Sequence, residues 1–183
     1  MLNISYDGEV CFGITDEFKD EVEEVIIPDG VKSIGSYAFM YCEVLTKVKI
    51  PNSVEKIGYA AFAKSGIESI EIPDSVKLMG TAVFDGCRRL KNVKLSNNLG
   101  VIGETAFRGC KVLEHIEIPT SVKGIGEWTF FGCDSLRSVV IPNEVKYISK
   151  YAFYACYNLQ KVSILSDYVD FGEGVFNGCA GLS

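Results

Sequence analysis

Seven cysteines and one histidine are the residues of this 183-residue chain with the widest chemical range. Cysteines can form disulfides, bind metals or act as nucleophiles, and histidine can bind a metal or serve as a base. No two cysteines form a C-x-x-C pair, and His115 alone cannot complete a usual His-containing zinc set. The spacing therefore predicts neither a zinc centre nor a disulfide framework, and no cofactor or metal is expected.

Six of the cysteines recur at the same place in a repeated block of 22 or 23 residues. A phenylalanine opens each block, and a cysteine usually follows three residues later. The phenylalanines are Phe39, Phe62, Phe84, Phe107, Phe130, Phe153 and Phe176, and the cysteines are Cys42, Cys87, Cys110, Cys133, Cys156 and Cys179. Self-similarity at this period is typical of stacked-repeat proteins. Both columns are therefore predicted to form the structural core, with the cysteines as reduced thiols.

The second half of each block alternates apolar and polar residues, which is typical of a β-strand. Val48 and Ile50 should then point inward, and Lys47 and Lys49 outward. Proline often follows the strand because it cannot continue a ladder. Glycines after the next isoleucine indicate tight turns. The block around Phe62 is one residue short and lacks the cysteine.

The block A-F-x-x-C-x-x-L-x-x-[VI]-x-[IL]-P-x-x-V-x-x-I-G resembles the BspA-like type of leucine-rich repeat over residues 22–183. The resemblance implies an α/β-type solenoid, a right-handed superhelix of about seven coils. Its parallel β-sheet would lie on one face, and loops or short helical turns on the other. Such repeats are associated with surface proteins of bacteria and some protozoa that adhere to matrix proteins or other cells.

The two ends of the chain differ from the repeats. Residues 1–21 are predicted to form a hairpin-like N-terminal cap, because Asp7-Gly8 lies between alternating apolar residues. The chain stops inside a block, so two alternatives stay open. Either the array is truncated, or residues 176–183 close its end.

Catalysis requires a nucleophile and a base within reach of each other. His115 occupies an outward strand position, whereas the neighbouring Cys110 should point inward. The chain also has no G-x-S-x-G, P-loop or G-x-G-x-x-G motif. Cys11 lies outside the repeated column and is expected to be the most accessible thiol. We expect that the protein is not an enzyme.

The net charge and the distribution of apolar residues limit the classes of partner that the protein is expected to bind. The net charge of -6 disfavours nucleic acid, and no uninterrupted apolar run reaches the ~18 residues that a membrane-inserted helix needs. We expect a non-enzymatic protein- or glycan-binding or adhesion module of a cell-surface protein. The alternatives are a structural spacer and an intracellular interaction scaffold. The start of the chain is not a signal peptide, so the location is the cell surface or exterior if a signal was removed, and otherwise the cytoplasm.

Two surfaces are candidates for binding. The first is the outward face of the predicted sheet, where charges alternate in sign between coils, a pattern that also suits a solvated face. Its candidate residues are Lys47, Lys49, Glu71, Lys94, His115 and Glu117. The second, which we name the aromatic cluster, comprises Trp128, Phe131, Tyr151 and Tyr154, with Tyr147 as a further candidate. The aromatic cluster could bind a partner, mediate self-association, or only stack to hold neighbouring coils together.

Overall fold

The apolar–polar alternation at the end of each block produces short parallel strands that stack from coil to coil. The computed structural model describes residues 4–182, which form a parallel β-solenoid of about seven turns. The longer strands lie on one side of each coil, which we name the first sheet face. They are β3 (Glu24–Ile26), β5 (Lys47–Lys49), β7 (Ser69–Glu71), β9 (Asn92–Lys94), β12 (Ser138–Ile141) and β14 (Lys161–Ile164). They pair in parallel as β3–β5, β7–β9 and β12–β14. Val48 is buried between the exposed Lys47 and Lys49, in agreement with the predicted alternation.

A second sheet face is built from two-residue strands that end on an apolar residue, usually an isoleucine followed by a glycine. Its strands are β4 (Ser33–Ile34), β6 (Lys56–Ile57), β8 (Leu78–Met79), β10 (Val101–Ile102), β11 (Gly124–Ile125), β13 (Tyr147–Ile148) and β15 (Asp170–Phe171). They form the parallel orders β4–β6–β8 and β10–β11–β13–β15. The sequence pattern placed only tight turns here, so the solenoid carries one more strand ladder than expected.

The glycines of the second sheet face are required by close packing rather than by a turn. A Cβ atom on Gly58 would lie 2.6 Å from the backbone nitrogen of Ser36 in the preceding coil. A Cβ atom on Gly126 would lie 2.6 Å from the backbone nitrogen of Glu104. Real Cβ atoms do not approach other atoms so closely, so these glycines let successive coils come together.

The third side of each coil, from two residues before the phenylalanine to the cysteine, we name the turn face. Backbone N–H groups here bond to the next coil: Thr105 donates to Glu127 at 2.9 Å and Phe107 to Thr129 at 2.9 Å. Thr105 and Gly109 have φ values of 50° and 69°. A left-handed residue interrupts a right-handed helix. The expected α/β class with short helical turns is therefore not confirmed: residues 4–182 contain one 3₁₀ helix, Asp16–Phe18, and no α-helix.

The first strands form a hairpin at one end of the solenoid. Strands β1 (Ile4–Tyr6) and β2 (Val10–Ile14) pair in antiparallel orientation, and β2 also pairs in parallel with β4. The Asp7 carboxylate accepts hydrogen bonds from the backbone of Glu9 at 3.0 Å and Val10 at 2.8 Å. Residues 1–3 of the predicted cap 1–21, and Ser183, lie outside the described residues.

The core is a column of parallel rings. Of the seven phenylalanines in this column, the six from Phe39 to Phe153 are 0% exposed, and Phe176 is half-buried. Consecutive ring centroids lie between 4.9 and 5.5 Å apart. Such ring pairs stabilise a fold beyond the area that they bury. The column therefore fixes the register of the coils and, with it, the position of every surface residue discussed below.

Candidate functional site

The aromatic cluster lies on the turn face of two adjacent coils. Trp128 and Tyr151 occupy the same repeat position, two residues before a core phenylalanine, and their ring centroids are 4.6 Å apart. Phe131 and Tyr154 share a second position, with centroids 5.4 Å apart. The two pairs also touch each other edge to face. The ring centroids of Trp128 and Phe131 are 5.2 Å apart, and those of Tyr151 and Tyr154 are 5.8 Å apart. All four side chains are half-buried, so the structure brings together the rings that their 23-residue spacing had aligned.

The backbone of the cluster adopts a conformation that bulky residues disfavour. Trp128 has a φ of 55° and Tyr151 a φ of 57°. The residues at this position in the earlier coils are also left-handed, so the conformation belongs to the fold; they are Tyr37, Ala60, Ala82 and Thr105. Each left-handed L-residue costs roughly 1–2 kcal/mol, and glycine avoids this cost. Glycine does occupy the position in the next coil, as Gly174. The two large rings are therefore kept where a glycine would relieve strain.

Polar groups border the aromatic cluster on the side of the second sheet face. The Glu173 carboxylate beside the hydroxyl of Tyr151 raises the pKa of Tyr151 above its ordinary value. The Lys150 ammonium lies 3.4 Å from Glu127 Oε2. A cavity of about 440 Å³ is lined by Glu127, Lys150 and Glu173 together with the candidate Tyr147.

Tyr147 lies beside the aromatic cluster but not within it. It belongs to β13, is 40% exposed, and pairs with Gly124 of β11. A Cβ atom on Gly124 would lie 2.0 Å from the Tyr147 ring, so the tyrosine packs onto the glycine backbone. Tyr147 thus lines the cavity of about 440 Å³ together with Lys150 and Glu173, and none of the four rings is among the described residues that line it.

The six candidates on the first sheet face are all exposed. The Lys94 ammonium donates to Glu71 Oε1 at 2.6 Å, which raises the pKa of Lys94. Within residues 4–182, Lys49 and Glu117 form no salt bridge, so the alternation of charge produces one pair rather than a continuous ladder. An open cavity of about 870 Å³ lies over the first coils, and Lys49, Glu71 and Lys94 are among its lining residues.

The cysteine column is buried and hydrogen-bonded. The thiol of Cys110 donates to the carbonyl oxygen of Phe84 at 3.2 Å, and the thiol of Cys133 to that of Phe107 at 3.2 Å. Burial raises the pKa of both thiols well above the ordinary value. All seven cysteines lie in the described part of the chain and are free. The prediction that Cys11 is accessible is wrong, because β2 lies under the first coil and leaves Cys11 0% exposed.

The Cys–His nucleophile considered from the sequence is not assembled. His115 is exposed on the first sheet face, where it forms an isolated bridge with Ser138, while Cys110 is 0% exposed in the core. Across residues 4–182, no three His, Cys, Asp or Glu side chains are grouped to hold a metal ion. In the same residues, none of the helical structure is long and apolar enough to span a membrane.

Sequence reasoning missed one feature, a basic cleft at the coil that is one residue short. Its lining residues are Glu43, Lys64, Ser65, Gly66, Gly86, Arg88 and Arg89. The signal was present in the sequence, because the block at Phe62 lacks both the cysteine and the glycine that precede the leucine in later blocks.

Stacked coils of 22 or 23 residues around a core of phenylalanines and cysteines define a solenoid repeat protein. The profile of the BspA type leucine-rich repeat region matches residues 16–123 and 100–183 in six copies. The chain belongs to the BspA-type leucine-rich repeat family.

Solved bacterial structures share the fold. A leucine-rich repeat protein from Bacteroides ovatus is 30% identical with a TM-score of 0.70, over 89% of this chain and 48% of its own. The T. pallidum leucine-rich repeat protein is 27% identical with a TM-score of 0.59, over 95% and 82% of the two chains. The pneumococcal vaccine antigen PcpA shares the fold at 20% identity, with a TM-score of 0.62, over 98% and 57%. The chain thus spans about half the length of the Bacteroides ovatus protein, and no curated protein sequence matches it.

Proposed function

We propose that this chain is a non-enzymatic binding or adhesion module of a cell-surface protein, and that it engages a protein partner through the aromatic cluster. The observation that carries the proposal is the group of four touching, half-buried rings on adjacent coils. Tryptophan and tyrosine dominate the energetics of protein interfaces because each buries a large area at a small cost in side-chain entropy.

The alternative role of the rings is to hold coils together, and the observed stacking does contribute to cohesion. Cohesion alone does not require large rings at this position in adjacent coils, since Ala60, Ala82 and Thr105 occupy it elsewhere and the ring of Tyr37 is followed by Ala60 in the next coil. Strained residues that persist are often found at functional sites. The rings at Trp128 and Tyr151 are therefore better explained by recognition in addition to stacking.

A location at the cell surface is supported by the family and is compatible with the cysteines. Free thiols are unusual outside the cell, where disulfides form readily. Here the thiols are buried, and burial raises the pKa of Cys110 and Cys133, so little reactive thiolate forms. The reduced column therefore does not argue for the cytoplasm.

Binding of the purified chain to an array of matrix proteins and glycans tests the proposal. The variant is Trp128→Ala with Tyr151→Ala, and alanine is already accepted at this position as Ala82. The matched control is Tyr37→Ala with Tyr59→Ala, a second exposed pair of rings, with centroids 5.2 Å apart. We expect a protein ligand whose binding falls at least about tenfold in the variant only, since a single aromatic interface residue is often worth about 2 kcal/mol or more.

Three other outcomes would contradict parts of the proposal. Unchanged binding by the variant would move the site to the first sheet face around Lys49, Glu71 and Lys94. Binding of glycans alone would replace the protein partner. A folded chain that binds nothing would favour the structural spacer.

A further inference from the structure

The shortened coil opens a cleft on the turn face. Between Phe62 and Ile67 the coil is one residue shorter than its neighbours, and Ser65 takes the place of the cysteine. The backbone N–H of Gly66 donates to the Cys42 carbonyl at 3.0 Å, and a Cβ atom on Gly66 would lie 2.0 Å from the Glu43 carbonyl oxygen. The short segment is thus drawn against the preceding coil. A cavity of about 490 Å³ remains, lined by this segment, by Glu43 of the preceding coil, and by Gly86, Arg88 and Arg89 of the following coil.

Lys64 at the edge of this cleft stands where four of the five later coils have glycine and the fifth has Ala155. Its φ is 55°, and the equivalent residues Gly86, Gly109 and Gly132 have φ between 66° and 70°. A lysine therefore occupies a position at which it is strained. Its ammonium donates to the Tyr41 hydroxyl at 3.1 Å and lies 4.8 Å from the centre of the Tyr41 ring. These two contacts hold the positive charge in place.

Two cations of the cleft have no carboxylate partner. Within residues 4–182 neither Lys64 nor Arg88 forms a salt bridge, whereas Arg89 is paired with Glu68. The next coil differs, because Arg108 donates from Nε and Nη2 to the Asp85 carboxylate at 2.7 and 2.9 Å. Basic side chains on this side of the solenoid are thus commonly neutralised, and the cleft is an exception.

The lining residues indicate the class of ligand. The described residues that line the cleft are charged or polar side chains and glycines, and none is apolar. Protein partners usually anchor aromatic or aliphatic side chains in apolar pockets, which this cleft does not offer. Its volume lies within the range of small-ligand sites, roughly 300–1,000 Å³. Arginine matches the geometry of an oxyanion, and lysine supplies a point charge.

We propose that the cleft bounded by Lys64 and Arg88 binds an acidic saccharide through its sulfate or carboxylate group. The ligand's oxyanion bridges the two unpaired cations, and its hydroxyl groups contact Glu43 at the rim. The overall charge of -6 does not oppose this contact strongly, because charges farther away than about 8 Å are screened at physiological salt. This site is separate from the aromatic cluster, and neither proposal depends on the other.

Isothermal titration of the whole chain provides the test. The probes are a heparin-derived tetrasaccharide, its desulfated form that keeps the carboxylates, and neutral chitotetraose. The variant is Lys64→Gly with Arg88→Gln, since glycine suits the φ of Lys64 and preserves the fold. The control is Lys77→Gln with Lys146→Gln, which removes the same charge from exposed sites outside the cleft. A thermal melt verifies folding of both.

We expect the sulfated probe to bind, and its affinity to fall about tenfold or more in the variant and less than about twofold in the control. Binding of the desulfated probe would assign the site to carboxylates, and its absence to sulfates. Trp128→Ala with Tyr151→Ala should bind the sulfated probe unchanged. Equal losses in variant and control, equal binding of a hexaglutamate peptide, or no binding of either acidic saccharide would overturn the proposal.

Discussion

At the scale of single residues, the cysteine that recurs in all coils but one is explained by a hydrogen bond rather than by covalent chemistry. Each thiol from Cys87 onward donates to the carbonyl oxygen of a phenylalanine in the preceding coil, at 3.0 to 3.2 Å. Cysteine is small and apolar enough for a fully buried site, and its S–H can still satisfy a backbone acceptor. Ser65 keeps a donor group in the one coil that lacks the thiol, 3.5 Å from Cys87 Sγ.

The buried thiols make stability depend on alkaline pH. Burial raises the pKa of Cys42 and Cys87 from 9.0 to about 11, and it also raises the pKa of Cys110. Above pH 9 the unfolded chain loses thiol protons that the folded chain retains, so the folded state binds more protons. The stabilisation should be complete below pH 9 and decline as the pH rises toward 11.

Urea unfolding between about pH 7 and about pH 10.5 measures this decline. The matched variant is Cys110→Ser with Cys133→Ser, because a hydroxyl can donate the same hydrogen bond without titrating in this range. We expect a weaker pH dependence in this variant than in the natural chain. The same decline in both proteins would show that other groups are responsible.

At the scale of elements, close approach of the coils controls the second sheet face. Gly126 has no room for a methyl group, since a Cβ would meet Glu104 at 2.6 Å, whereas Gly100 has no atom within 4 Å of a Cβ. Gly126→Ala should therefore destabilise the fold by about 1–3 kcal/mol, the usual cost of overpacking. Gly100→Ala should be neutral or stabilise by up to about 1 kcal/mol. Chemical denaturation compares the two, and similar values would contradict the packing role of Gly126.

Sequence reasoning agreed with the structure where aromatic residues recur at a regular spacing. The spaced phenylalanines predicted a buried column, and the 23-residue spacing of Trp128 and Tyr151 predicted that these rings would align. Sequence reasoning failed where the residue type does not indicate the backbone conformation. Left-handed backbone at Ala82, Thr105 and Trp128 cannot be recognised from those residue types, so helical turns were expected on the turn face. Strands of two residues, such as Lys56–Ile57, are too short to show alternation.

The same distinction explains what was predicted of the two binding surfaces. The aromatic cluster was predicted because its members repeat in register. The cleft at Lys64 and Arg88 depends on a missing residue and on unpaired charges, which only the packing of coils displays. Its sequence signal is a lysine at a position that four other blocks give to glycine and two give to Tyr41 and Ala155, and the φ of 55° at Lys64 shows that the lysine is strained there.

At the scale of the whole molecule, each coil contacts chiefly its two neighbours, as expected of a solenoid. Deletion of residues 107–129, one complete period, joins Ala106 to Phe130 and keeps every column in register. The chain shortened by one period should fold and should unfold cooperatively. Its denaturant m-value should be lower than that of the full chain, because less surface is buried on folding. Deletion of residues 107–118 removes about half a coil and should abolish folding. Circular dichroism with urea titration distinguishes them, and equal behaviour would contradict the nearest-neighbour picture.

The hydrogen bonds between coils also have a mechanical consequence. Those of the turn face, like the two strand ladders, join one coil to the next and so run along the length of the solenoid. A pulling force on the two ends acts on one coil boundary at a time, so the coils would detach in series. Each detached coil would lengthen from about 4.8 Å of stack to as much as about 75 Å of extended chain. Anchored between a surface and a bound partner, the domain would act as an extensible tether that absorbs sudden load in steps.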